Sequence, residues 1–452
     1  MSTDTPPTRA DDPHTLIRRR NYVVMLLVGA VLGLPVAVVA YGFLGVVGAV
    51  QDYLFTTLPG QLGFTEPPSW WSIPLLVLGG LGVAATIRRL PGTGGHKPAE
   101  GFKTGGPVRP ADLPGIALAA FLTLALGVVL GPEAPLIAIG SGLGVLAMRL
   151  LDRGAPDMAV MVVSGAGSFA AIATLLGSPL SGAFLLMEAV GLGGAMLGVV
   201  LVPGLLAAAI GALVFVGLDQ WSGLGTFSLG VADLPAAGSP TGVQFLWAIG
   251  IGLAAALLGA AITRASLHLQ GVVERGPGLR TPLVGLAIGG LVLVFVETTG
   301  QGASWVLFSG QEQLGPLISG AGDWTVGALL LLLACKGLAY TLALSSFRGG
   351  PVFPAMFLGA AGGVVLSHLP GLPLVAAVGM GIGAMTVAML GLPLVSVLLA
   401  ALVLQADGLQ LVPVIIVAVV TSWVVSARLR PDPDDDTEPQ PEAPPDASGA
   451  HP

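Results

Sequence analysis

Two acidic residues stand inside apolar sequence, where an acid has to justify its presence. Glu133 lies in LGPEAPLIAIGSGLG (130–144) and Glu188 closes LGSPLSGAFLLME (176–188). A carboxylate far from the end of a membrane span costs roughly 2.5–3.5 kcal/mol on insertion scales, so Glu133 points to gating or to proton transfer. The competing reading is a cap that satisfies the N-terminus of its own helix. Glu188 poses the same question less sharply, because a residue that ends an apolar segment can reach an interface. Glu297, in VETTGQG, reads as a structural residue at a span end.

The sequence around these acids is broken by Gly and Pro in a way that plain spanning helices are not. The same holds for FRGGPVFPAMFLGAAGG (347–363). Each break places a Pro at or near the start of a new apolar helical pattern, where its missing N–H costs nothing. Non-helical backbone is tolerated at that depth only where protein or a watery cavity surrounds it. These breaks are therefore expected to be helix N-termini inside the bilayer, whose free amides and partial positive charge attract anions.

The elements that must position these groups are transmembrane helices. Of 452 residues, 54% are hydrophobic and 10% charged, against roughly 25% charged in a soluble domain, and the mean hydropathy is +0.88. Runs long enough to cross ~30 Å of hydrocarbon fall at 23–50, 72–87, 113–130, 192–217, 243–264, 281–296, 325–347, 372–400 and 410–427. One membrane domain is expected over 18–430, after a polar cytoplasmic segment at 1–17. Its 68 glycines suit close helix packing and broken helices. The single Cys, Cys335, excludes disulfides and metal clusters as organising features.

The formal charge of −7 resides in the Pro-rich tail. Asp432, Asp434, Asp435, Asp436, Glu438, Glu442 and Asp446 account for it, and the segment 431–452 is expected to be disordered, solvated and without a catalytic role. Arg18, Arg19 and Arg20 precede the first span, Arg88 and Arg89 follow the second, and Arg428 and Arg430 follow the last. The positive-inside rule puts both termini in the cytoplasm, with an even number of crossings, in a plasma membrane or bacterial inner membrane. No cleavable signal peptide is expected.

In this order, GTGGHKPAEG (92–101), GPEAP (131–135) and GGPVFP (349–354) resemble the three signature regions of the CLC chloride channels and transporters, and PLSGAFLLME resembles a fourth family helix. The resemblance covers about 20–427. It implies an all-α polytopic fold of two inverted repeats with broken, re-entrant helices, and a homodimer with one pore per subunit. No cofactor, metal or nucleic acid enters; the partners are a small inorganic ion, chloride first, and the bilayer. The ion pathway implied by the matching positions runs past Gly94, Gly95, His96, Pro98, Gly131, Glu133, Ala134, Gly350, Pro351, Val352 and Phe353, with Glu133 as the gating carboxylate. A carboxylate mimics a dehydrated halide, and both seek the same amides.

The departures gather at the centre of that pathway. Registered on Pro98, the family's anion-binding serine falls at Gly95; Pro132 and Ala134 replace a basic residue and a glycine; Pro351 offers no N–H and Val352 takes the place of Phe. The last family helix, with its central tyrosine, has no counterpart after SWVVSARLR (422–430). Hydrogen bonds to a charge are worth ~1.5–3 kcal/mol each, so the central site is expected to hold chloride weakly. The family's inner proton acceptor falls at Ala189, which favours a passive anion channel over a chloride/proton antiporter; a shift of one residue returns a proton pathway to Glu188. A CLC fold carrying nitrate, fluoride or a cation is the third reading. His96 is either an ion-facing donor titrating near pH 6.5 or a loop residue. The cluster His96, Lys97, Lys103 and Arg109 either concentrates anions or reflects topology alone. GTGGHK lacks phosphate-loop spacing and a preceding strand. Nothing beyond two carboxylates on separate helices speaks for an enzyme.

Overall fold

Backbone in hydrocarbon has no partner but itself, and uncharged runs of this length fold as helices. A computed structural model describes residues 20–102, 106–191, 194–222, 229–231, 234 and 238–429. The N-terminal segment 1–17, Arg18, Arg19, Lys103, Arg430 and the tail 431–452 lie outside the described residues. Among those described, nine helices are long and apolar enough to cross a membrane.

The chain begins with α1 (Arg20–Asp52), prolonged by a π-helical turn at Tyr53–Thr57 and a last turn at Leu58–Gln61, and returns through α2 (Ser72–Arg89). Five helices follow: α3 (Leu113–Ala125), α4 (Glu133–Leu151), α5 (Asp157–Leu176), α6 (Pro179–Val190) and α7 (Gly194–Ser222). After α8 (Gly242–Glu274) and α9 (Pro277–Thr299) the same succession recurs as α10 (Val326–Ser346), α11 (Val352–Leu366), α12 (Leu374–Leu390), α13 (Pro393–Val403) and α14 (Ala406–Leu429).

The two sets repeat in detail. α4 begins after Gly131-Pro132 and α11 after Gly350-Pro351. α5 ends at Gly177 and α12 at Gly391, both left-handed, and each is followed two residues later by a Pro that opens a short helix. α4 and α5 touch backbone to backbone at Gly140 and Gly167, as α11 and α12 do at Gly359 and Gly381; a Cβ on any of the four would overlap the facing carbonyl. Lipid tails give helices no hydrophobic reason to associate, so this closeness of small residues supplies the packing.

Two expected spans are not single helices. The run 372–400 divides at Gly391, where φ of 73° and the coming Pro393 end α12 and start α13. The run 113–130 holds only the 13-residue α3, because Gly127 (φ 89°) turns the chain into an extended approach to Gly131. Conversely, the broken segment at 130–144 continues into a full 19-residue α4, and α5 is a 20-residue span across sequence that hydropathy had left unassigned. The Ser and Gly residues of α5 lower its hydropathy, yet Ser164 and Ser168 are satisfied inside: Ser164 Oγ lies 2.7 Å from Ser141 Oγ, and Ser168 donates to the Ile137 carbonyl at 3.1 Å.

Candidate ion pathway

The two repeats are joined backbone to backbone where their central helices begin. Gly131 and Gly350 exchange backbone hydrogen bonds, 2.8 Å from Gly131 N to Gly350 O and 2.5 Å in the other direction. Pro132 and Pro351 stand at the N-caps of α4 and α11, so both helix N-termini open beside this bridge.

Glu133 is the first residue of α4 and has no exposed surface. It reaches beyond its own helix: its Oε1 accepts the Phe353 N–H at 2.9 Å, from the first turn of α11. The other oxygen, Oε2, has no hydrogen-bond partner among the described residues. The carboxylate lies so close to Gly131 and Gly350 that a Cβ on either would overlap it. A carboxylate of the first repeat thus rests on a backbone amide of the second, in a seat walled by a glycine of each. Pro351 gives no N–H, as expected, but the amide two residues on supplies the donor.

Behind the seat, Tyr340 of α10 donates its hydroxyl to the Pro351 carbonyl at 2.9 Å and is fully buried. Lys336, one turn earlier and also fully buried, lies 3.0–3.3 Å from the carbonyls of Trp305, Val306, Leu307 and Phe308. Its ammonium stands 4.5 Å from the centre of the Phe357 ring. Neither residue stood out beyond its neighbours in sequence, although a basic residue within an apolar run is itself a signal.

On one side of the bridge opens a vestibule of about 860 Å³, whose walls include Leu130, Pro132, Leu307 and Phe308. Asp52, Glu66 and Glu312 also line it, and among the described residues no Lys, Arg or His does. The Glu312 carboxyl is pushed above the usual carboxylate range, first by desolvation at the wall and then by the negative charge of Asp52.

On the other side lies the loop of Gly94, Gly95, His96 and Pro98. Gly94 and Gly95 need their positive φ of 74° and 96°. The link to the bridge is Arg348: its backbone N–H donates to Thr123 Oγ1 and its Nε to the Thr93 carbonyl, both at 3.3 Å. His96 is turned onto its own loop, with Nε2 at 2.7 Å from the Gly101 carbonyl. Lys97 and Arg109 of the basic cluster are paired with acids, of which only Glu274 is distant in the chain. Lys97 pairs with Glu274 at 2.6 Å and Glu100 at 3.7 Å, and Arg109 with Asp112 at 3.0 Å.

The structure therefore gathers Gly131, Glu133, Gly350, Pro351, Val352 and Phe353 at one point, with Ala134 in the first turn of α4 beside it. Gly94 lies at 3.4 Å from Arg348 Cγ, measured from a built Cβ. Glu188 stands apart. Its two oxygens accept the Leu394 and Val395 N–H groups at 2.9 and 2.8 Å, which caps the N-terminus of α13.

Residues 79–426, most of the chain, match the family described as voltage gated chloride channel. The chain belongs to that family. The voltage gated chloride channel fold is also its fold: a slow cyanobacterial Cl⁻/H⁺ antiporter superposes with a TM-score of 0.73 at 19% identity, over 90% of this chain and 94% of that one. A CLC-type fluoride/proton antiporter gives 0.60 at 21% identity, over 90% and 96%. Among curated relatives, the putative ion-transport protein YfeO of Escherichia coli (strain SE11) is 29% identical over 422 residues, 91% of this chain and 94% of its own. Membership in the family makes ion transport across a membrane the protein's activity, and its all-α fold of paired, broken helices is the expected one.

Proposed function

We propose that the protein carries a small monovalent anion, chloride first, along a path that Glu133 closes. The observation that carries this reading is the Glu133 carboxylate lying on the Phe353 amide, in the cradle of Gly131 and Gly350. A seat that accepts a buried carboxylate through backbone N–H and helix N-termini accepts a dehydrated halide by the same interactions. Protonation of Glu133, or its displacement by the anion, frees the seat.

We read the transport as passive. A proton-coupled cycle needs a second carboxylate free to exchange protons with the pathway, and Glu188 has both oxygens engaged on α13. Coupled exchange is the second reading, favoured by the two antiporters that share the fold; the second of these keeps fluoride among the candidate ions.

The proposed orientation has the face that carries His96 in the cytoplasm. Arg88 and Arg89 end α2 there, Arg88 beside Gly278, and Arg264 bonds the Leu429 carbonyl, while the vestibule wall has no basic residue. The proposed assembly is a homodimer in a plasma or inner membrane, for which the outward Leu180, Leu213, Leu394 and Leu409 of α6, α7, α13 and α14 offer an apolar face.

Purified protein in vesicles, with chloride and proton movement recorded together, tests the proposal. Chloride efflux without protons is expected. Chloride-driven proton flux would replace the passive reading with the coupled one, and no halide flux in either wild type or Glu133→Gln would remove the anion.

A further inference from the structure

Arg348 sits in the loop between α10 and α11, two residues before the Gly350 bridge, and is 8% exposed. A guanidinium carries five N–H groups and stays charged in proteins. Here Nε donates to the Thr93 carbonyl at 3.3 Å and Nη1 to the Phe347 carbonyl at 3.1 Å, both neutral acceptors. The other N–H groups have no acceptor among the described residues. No carboxylate there lies within ion-pair distance either. The acids that reach Arg348 electrostatically, Glu274 and Glu100, are held by Lys97, and Glu100 also accepts from Gln270 Nε2 at 3.3 Å.

A buried charge without a counter-charge is costly, and buried charges are ordinarily paired. The cost is acceptable where the missing partner is the molecule that passes. The position fits: the side chain spans from the Gly350 loop to the Thr93–Gly94 loop, on the side of the bridge away from the acidic vestibule. Its contacts with Thr123, Thr93 and Phe347 hold a positive charge between the Gly350 segment and the Gly94 loop. The hydroxyl donor expected in this region is absent, since glycines occupy positions 94 and 95.

We propose that the guanidinium of Arg348 is the inner anion-binding group of the pathway, taking a small monoanion such as chloride on its free N–H groups. This rests on the reading of the Glu133 seat as an anion site. It differs from a purely structural staple, which would need the two carbonyl contacts and no anion.

The test combines bromide-soaked crystals of the wild-type protein with flux in vesicles. Anomalous density for bromide within hydrogen-bond reach of Arg348 is expected. Arg348→Met should raise the half-saturating chloride concentration by about ten-fold or more, the loss of a hydrogen bond to a charge, and should weaken discrimination between chloride and thiocyanate. Arg348→Lys, which keeps the charge, should recover part of both. Should Arg348→Met fail to fold, the bromide map and the lysine variant decide. Chloride half-saturation and selectivity unchanged in Arg348→Met, or bromide bound only elsewhere, overturns the inference and leaves the Glu133 seat standing. Absence of halide flux in wild type overturns the transport reading instead, and bromide at Arg348 then still decides this site.

Discussion

The two places where the repeats begin their central helices can be laid over one another: Gly131-Pro132-Glu133-Ala134-Pro135 against Gly350-Pro351-Val352-Phe353-Pro354. Backbone, glycine and both prolines recur. The first copy contributes a carboxylate, and the second contributes the amide that receives it, at 2.9 Å. Val352 returns nothing polar. One asymmetric side chain distinguishes the two copies of a repeated fold, and the symmetric parts hold the two ends together; the proposed gate rests on that difference.

The largest effect on this asymmetry is expected from Glu133→Gln. Removing the charge should make halide flux lose its dependence on pH and, near neutral pH, exceed the wild-type rate by ten-fold or so, about 1.4 kcal/mol of seat occupancy; flux with wild-type pH dependence would dismiss Glu133 as the gate. Next comes Gly350→Ala, whose Cβ would overlap the Glu133 carboxylate. The carboxylate should be driven from its seat, so that the Glu133→Gln change adds little to flux in that background, as a double-mutant cycle would report.

Glu188→Gln probes the other acid. It should lower thermal stability in detergent by about 1–2 kcal/mol through the weakened cap of α13, with chloride flux unchanged. A change in chloride flux, or proton movement in wild type that is lost in the variant, would instead give Glu188 a place in the pathway. The smallest effect is expected from Glu312→Gln. Because the folded protein raises the affinity of Glu312 for a proton, its ionised form destabilises the fold at high pH and is relieved as pH falls through the raised value. The variant should therefore be more stable than wild type above that range, with the advantage fading on acidification. Its chloride flux should rise about two-fold at neutral pH and at low salt; an equal gain at high salt would argue against electrostatic repulsion in the vestibule.

Much of this arrangement can be read from residues. A charged residue after Gly-Pro in apolar sequence marks Glu133, and the Gly-Pro breaks mark both central helix starts. What stays hidden depends on partners distant in the chain. The cap formed by Glu188 requires Leu394 and Val395, and the neutralisation of Lys97 requires Glu274; no local pattern announces either. The split at Gly391 is concealed because Leu and Pro continue the apolar run on both sides. Arg348 lies within a segment already singled out for its glycines, and its charge was overshadowed by them.

The pair of bonds between Gly131 and Gly350 has a mechanical consequence. Two repeats tied by backbone here cannot draw apart at that point without breaking both bonds. Under the proposed gating, opening therefore falls to the torsions of the Glu133 side chain. Exposed side chains change rotamer in picoseconds to nanoseconds, and collective domain motions take microseconds to milliseconds; Glu133 is fully enclosed, so its release waits for local loosening of the glycine cradle rather than for a rearrangement of the two repeats.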